Sequence, residues 1–147
     1  MKKNLASIQL KDYVVTEVEF NLGVHEPKEF EFIPDFGLFK KEDSGVVEVK
    51  FIVTEEGFKL SGTVAGFFSY DSSLSEFDVK NLLAGNGLAI LFPYVRSTIT
   101  NLTSAINIPS VIVPTMNILE YMKEKFEKEK NKQLETADIH SKNDFIP

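Results

Sequence analysis

The chain of 147 residues has no cysteine, no tryptophan and only two histidines. Without cysteine there is no disulfide framework, no thiolate nucleophile and no cysteine-ligated zinc. His25 falls in an expected loop and His140 near the C-terminus. Solvated side chains are the simplest assignment for both. Basic residues are also short, 16 Lys+Arg against 22 Asp+Glu for a formal net charge of −6. That balance argues against broad electrostatic binding of nucleic acid or anionic lipid, which needs clustered Lys and Arg. The triplet Gly85-Asn86-Gly87 lacks dinucleotide-fingerprint spacing, and no P-loop lysine accompanies it. So many carboxylates produce close pairs by chance, so no acid–base dyad stands out. The expectation is a protein that is not an enzyme and uses no metal or cofactor.

Long hydrophobic runs are missing as well. After Met1-Lys2-Lys3 a signal peptide would need an apolar stretch of about 7–15 residues, yet Gln9, Lys11 and Asp12 interrupt it. No window approaches the roughly 20 apolar residues of a membrane span. An unexported, cytoplasmic chain without membrane insertion is expected, in which Asn101-Leu102-Thr103 would never meet the glycosylation machinery.

What is present is a globular composition, 43% hydrophobic with 13 Phe and 4 Tyr, in a length that suits one domain. Charge is distributed unevenly. Residues 1–60 carry 12 acids and 8 bases, whereas Arg96 is the only charged side chain between Asn81 and Leu119. Helices of a soluble monomer ordinarily carry charge on their exposed face. So sparse a middle implies surface covered by other chains or by an apolar ligand.

The first half reads as strands. Ser7 to Leu22 alternates in part, with Val14, Val18 and Phe20 assigned to one face and Glu17 and Glu19 to the other. Glu29 to Phe39 follows. In Val46 to Glu55, the residues Val47, Val49, Phe51 and Val53 oppose Glu48 and Lys50. Glu55-Glu56-Gly57 is a hairpin connection in which Gly supplies a positive φ. Phe58 to Tyr70 returns, with Gly62 and Gly66 as bulges or points of close approach. Adjacent Phe67 and Phe68 must face opposite ways, so burial of both would mean a sheet covered on both sides.

After Tyr70 the period becomes helical. Ser73 and Glu76 fit a capping box, the Gly85–Gly87 triplet breaks that helix, and Leu88 to Ala105 forms the next with Pro93 near its first turn. Ile106 to Pro114 is a loop or extended segment. Asn117 caps a last helix that becomes solvated beyond Phe126. Residues 1–134 are expected to form one domain, and 135–147 a flexible tail.

The aromatic set is the ordinary filling of a core; the other assignment is an apolar surface for a ligand. Four stretches bear on the choice. Gly87 to Arg96 reads Gly-Leu-Ala-Ile-Leu-Phe-Pro-Tyr-Val-Arg and continues as Ser97-Thr-Ile-Thr-Asn-Leu-Thr103. Ile108-Pro109 and Val113-Pro114-Thr115-Met116-Asn117-Ile118 follow in order, and Gly66-Phe67-Phe68-Ser69-Tyr70 precedes them. This run, above all Leu91, Phe92, Pro93, Tyr94 and Arg96, resembles the SecB export-chaperone family over roughly residues 8–122.

The resemblance implies an α+β fold, a four-stranded antiparallel sheet with two main helices packed on one face, assembled as a dimer of dimers. It implies a holdase that binds unfolded polypeptide or preprotein in apolar grooves without ATP, and delivery to the translocase motor SecA. Phe36, Phe39, Phe67 and Phe92 become the candidate client groove. The acidic SecA-docking face of the family falls near Glu17, Asn21 and Ser61, of which Glu17 alone is an acid. The other reading is a SecB-like adaptor or antitoxin chaperone dedicated to one toxin–antitoxin partner.

Overall fold

Alternating apolar residues between turn formers build four strands, β1 (Ile8–Leu22), β2 (Glu29–Phe39), β3 (Ser44–Glu55) and β4 (Phe58–Tyr70). The structure, a computed structural model, describes the backbone of residues 6–106 and 108–143, and side chains through residue 136. It divides into two compact units, Met1–Pro114 and Thr115–Pro147.

In the first unit the strands form one antiparallel sheet of order β1-β4-β3-β2. Since β1 and β2 are opposite edges, the chain between them must cross the whole end of the sheet. Gly23 N donates to Gly57 O and Gly57 N to Val24 O, both at 2.8 Å, which pins the crossover to the β3–β4 hairpin. Gly57 has φ +100° there, as a tight turn requires.

Val47, Val49, Phe51 and Val53 of β3 are fully buried on one face, opposite Gly66, Val64, Gly62 and Leu60 of β4. The glycines are points of close approach: a Cβ on Gly66 would stand 2.7 Å from Leu91 Cδ1. Bulges do occur, but in β1, where Lys11 and Thr16 are extra residues between its paired positions. Each bulge resets the alternation. Tyr13, Val15, Val18 and Phe20 therefore share the helix-covered face by register, with Tyr13 and Val18 still exposed there, while Val14 lies opposite Ala65 on the other. The expected grouping of Val14 with Val18 is thus corrected.

The covering element is one helical run, α1 (Glu76–Leu82), a π turn at Leu83–Gly87, and α2 (Leu88–Ala105). Val79, Leu83, Leu88, Leu91, Val95 and Ile99 form its buried stripe. Three details differ from expectation. The cap is Ser75, whose hydroxyl accepts from Asp78 N at 3.1 Å, because Asp71 Oδ1 already holds Ser73 N and Oγ. The Gly-Asn-Gly triplet does not break the helix. Gly87 lies so near β3 that a Cβ would be 3.2 Å from Val47 Cγ2, and the π turn lets the helix follow the sheet past that contact. Pro93 is therefore inside the run, where it leaves the Ala89 carbonyl without its helical donor. Contrary to the sequence expectation, Glu76–Ala105 is by length and composition apolar enough to cross a membrane, and 44% of its most apolar window is buried within the protein.

Phe68 is buried while Phe67 is 41% exposed, so the second face of the sheet is open in this chain. In the second unit, α3 (Ile118–Asn143) starts at Asn117, whose Oδ1 accepts from Leu119 N at 3.1 Å and Glu120 N at 3.2 Å. The helix continues through residue 134, where the domain was expected to end; residues 144–147 lie outside the described residues.

Candidate functional site

At the crossover end of the sheet, three segments distant in sequence enclose an open cleft of about 590 Å³. One wall is the end of the β1–β4 pair, where Leu22 stands opposite Phe58 and Phe20 leans on Phe58 with ring centroids 5.7 Å apart. The second is the hairpin turn Glu55–Gly57 with Lys28 from the crossover. The third is the uncharged segment Ile108–Ile112. Leu22 and Ile112 are each 74% exposed, large apolar side chains left in water.

Charge sits at the rim and is paired. Lys28 Nζ lies 3.2 Å from Glu55 Oε1 and His25 Nδ1 lies 2.6 Å from Glu56 Oε1. Among the described residues the cleft lining holds no nucleophile–base pair, and no three His, Asp or Glu side chains gather as metal ligands. The arrangement can bury apolar surface and exchange backbone hydrogen bonds.

Ile112 also borders a second cleft of about 440 Å³, on the side of α2, with Pro93, Arg96, Ser97, Thr100 and Asn101. A third, of about 420 Å³, separates Phe36 and Leu38 of β2 from Leu83 and Ala84. Its rim is the Lys40–Glu76–Lys80 cluster, with Nζ–Oε distances of 2.7 and 3.2 Å. Lys40 holds the Glu76 carboxyl below its ordinary pKa, chiefly by hydrogen bonding, and Glu76 raises Lys40 in return.

The four phenylalanines expected to share a groove do not converge. Phe92 is 4% exposed and meets Phe32 edge-on with centroids 5.0 Å apart, which makes it core and corrects its assignment. Phe36 enters the third cleft from the helix-covered face, whereas Phe39 and Phe67 stand on the open face, 51% and 41% exposed. In the motif segment Leu91 is core and Pro93 is exposed. The Tyr94 ring lies tilted against Tyr13 with centroids 4.7 Å apart, and Arg96 Nη2 donates to Val113 O at 2.9 Å. Glu17 is exposed on the open face, where register also puts Asn21 and Ser61. Leu22, Phe58 and Ile112 were not foreseen. The available signal was the segment 108–114, apolar yet outside any regular element.

No family model matches the chain. An uncharacterized protein of Methanocaldococcus jannaschii is 33% identical over 115 residues, covering 78% of this chain and 66% of that protein. The chain thus spans just under two thirds of that relative. Among solved structures, a SecB-like chaperone of Mycobacterium tuberculosis, in complex with a ChAD peptide from the HigA1 antitoxin, superposes with a TM-score of 0.64. It is 17% identical, over 76% of this chain and 91% of that one. A Streptococcus agalactiae protein of unknown function gives a TM-score of 0.48 at 16% identity, over 74% of this chain and 97% of that one. The four-stranded antiparallel sheet with its helices is the SecB-like fold.

Proposed function

We propose that this chain, whose fold is SecB-like, is an ATP-independent holdase of the cytoplasm that binds unfolded or preprotein polypeptide through exposed apolar side chains. The observation that carries the reading is the open cleft between Leu22, Phe58 and Ile112, with its charges paired at the rim. An unfolded chain exposes apolar surface that a folded one hides, and burying it contributes about 25 cal/mol per Å². Such a surface selects for state rather than sequence. Several weak sites along one client add avidity, and copies of the chain assembled as a dimer of dimers would supply them.

A second reading, a SecB-like adaptor or antitoxin chaperone dedicated to a single partner, draws support from the M. tuberculosis chaperone, whose complex holds an antitoxin peptide. Delivery to SecA through the open acidic face that includes Glu17 belongs to the first reading. Calorimetric titration without nucleotide separates the two. A permanently unfolded, carboxamidomethylated polypeptide should bind and its folded counterpart should not. Failure to bind several unrelated unfolded chains would sink the general holdase and leave the dedicated adaptor.

A further inference from the structure

The segment that forms the third wall of the 590 Å³ cleft has no strand partner among the described residues, yet it is tightly held. Thr103 Oγ1 accepts from Val111 N at 2.9 Å and donates back to the α2 carbonyls of Ile99 or Thr100, each at 3.0 Å. Thr100 Oγ1 lies 2.8 Å from Val111 O and donates to it. Arg96 Nη2 donates to Val113 O at 2.9 Å, and Ser104 and Ser110 share a hydroxyl contact. The geometry behind this is simple. Four residues of a helix rise about 6 Å and two residues of extended chain span about 6.6 Å, so a segment laid antiparallel along a helix meets side chains spaced by four. Arg96 and Thr100 have that spacing and bond Val113 and Val111, two residues apart and running the opposite way, while Thr103 reaches Val111 N and Ser104 meets Ser110 beyond them. Burial alternates accordingly: Val111 is 6% exposed, Ile112 74% and Val113 1%. Fastening Val111 and Val113 to α2 forces Ile112 outward, onto the ridge shared by the 590 and 440 Å³ clefts.

We infer that Thr100, Thr103 and Arg96 are positioning residues for client binding, a side-chain ladder that presents Ile112 as the apolar ridge an unfolded polypeptide packs against. This rests on the holdase reading. Arg96 is the lone cation of an uncharged stretch, and its Nε is buried with no protein partner among the described residues. Its charge is thus used on a backbone carbonyl, where a purely packing residue would have served α2 equally well.

The test combines hydrogen exchange with a double-mutant cycle, read with the carboxamidomethylated polypeptide well below the melting temperature of every variant. Thr103→Val removes both roles of the hydroxyl and should accelerate exchange at the Val111 amide by about tenfold or more. Thr103→Ser retains the oxygen and should restore wild-type exchange. Thr100→Val, at a half-buried position, is the milder variant should Thr103→Val fail to fold. It and Ile112→Ala should each weaken binding by about tenfold, and together by no more than Ile112→Ala alone. Additive losses would mean that Thr100 does not act through Ile112, overturning the proposal while the holdase reading stands. Wild-type affinity in Ile112→Ala would overturn it in the same way. Absence of binding by the wild type would overturn the holdase reading and the proposal with it.

Discussion

Single residues divide here by the face they occupy, and that is what their sequence context conceals. Phe67 and Phe92 both sit within the motif-bearing segments, yet Phe92 closes against Phe32 in the core and Phe67 is exposed on the open face. A client surface at Phe92 would require it to leave that contact. Phe92→Ala is accordingly expected to cost about 3–5 kcal/mol, as large-to-small core substitutions of Phe do, and to lower the denaturant midpoint. Phe67→Ser should change stability by no more than about 0.5 kcal/mol. Equal midpoints for the two variants would contradict the assignment. The face of Val14 was concealed for a related reason. A bulge changes pairing without demanding a particular residue type, so Lys11 and Thr16 give no sign in the sequence that the alternation restarts after them. In β3, where no bulge intervenes, the same alternation is legible, and Val47, Val49, Phe51 and Val53 are buried as expected.

Elements were legible where local chemistry sets their ends and illegible where a neighbour does. The bounds of β2 and β4 follow from turn residues adjoining alternating runs, and Asn117 announces α3 by a side chain that caps its own helix. Between Glu76 and Ala105 the sequence suggests two helices, because Gly85 and Gly87 read in isolation as a break, while contact with Val47 makes continuation the better solution. The start of α1 depends on tertiary contacts too. Glu76, in its first turn, reaches both Lys80 on the same helix and Lys40 in the β2–β3 connection, tying the hairpin to the helix. Its carboxyl is held below the ordinary 4.5, so the stabilisation is present above that value and is lost as pH falls through the depressed one. Lys40 is raised above 10.5, so its share is complete below that pH and is lost as pH rises through the raised value. Denaturant midpoints of the wild type and Glu76→Gln should therefore differ near neutrality, converge on acidification, and differ less at high salt because the cluster is solvated. A gap that persists at pH 2 would assign the effect to something other than the carboxylate.

At the scale of the whole molecule, the scarcity of charge between Asn81 and Leu119 is the most informative feature of the sequence, and the structure divides it in two. Part is core, the stripe from Val79 to Ile99 that lies on the sheet. The remainder is exposed: Ala84, Ala89, Ile90, Pro93, Ser97 and Ser104 lie outward along a helical run with no charge beyond Lys80 except Arg96, which is bonded to Val113. Core packing requires no such restraint of the outer positions, since a lysine there would cost a monomer little. Small uncharged residues on an outward helix face instead suit close approach by another helix, and in the dimer-of-dimers reading that helix belongs to a second copy. Light scattering should accordingly give a molar mass above the 16.6 kDa of one chain. Ala89→Lys should lower that mass without lowering the stability of the dissociated chain, because it places an ammonium where two such faces would meet. It should also weaken binding of a long unfolded polypeptide more than that of a short one, since only the long client loses avidity when the sites separate. A wild-type mass of one chain would remove the assembly and the avidity argument together, and leave the Leu22–Ile112 cleft to act alone.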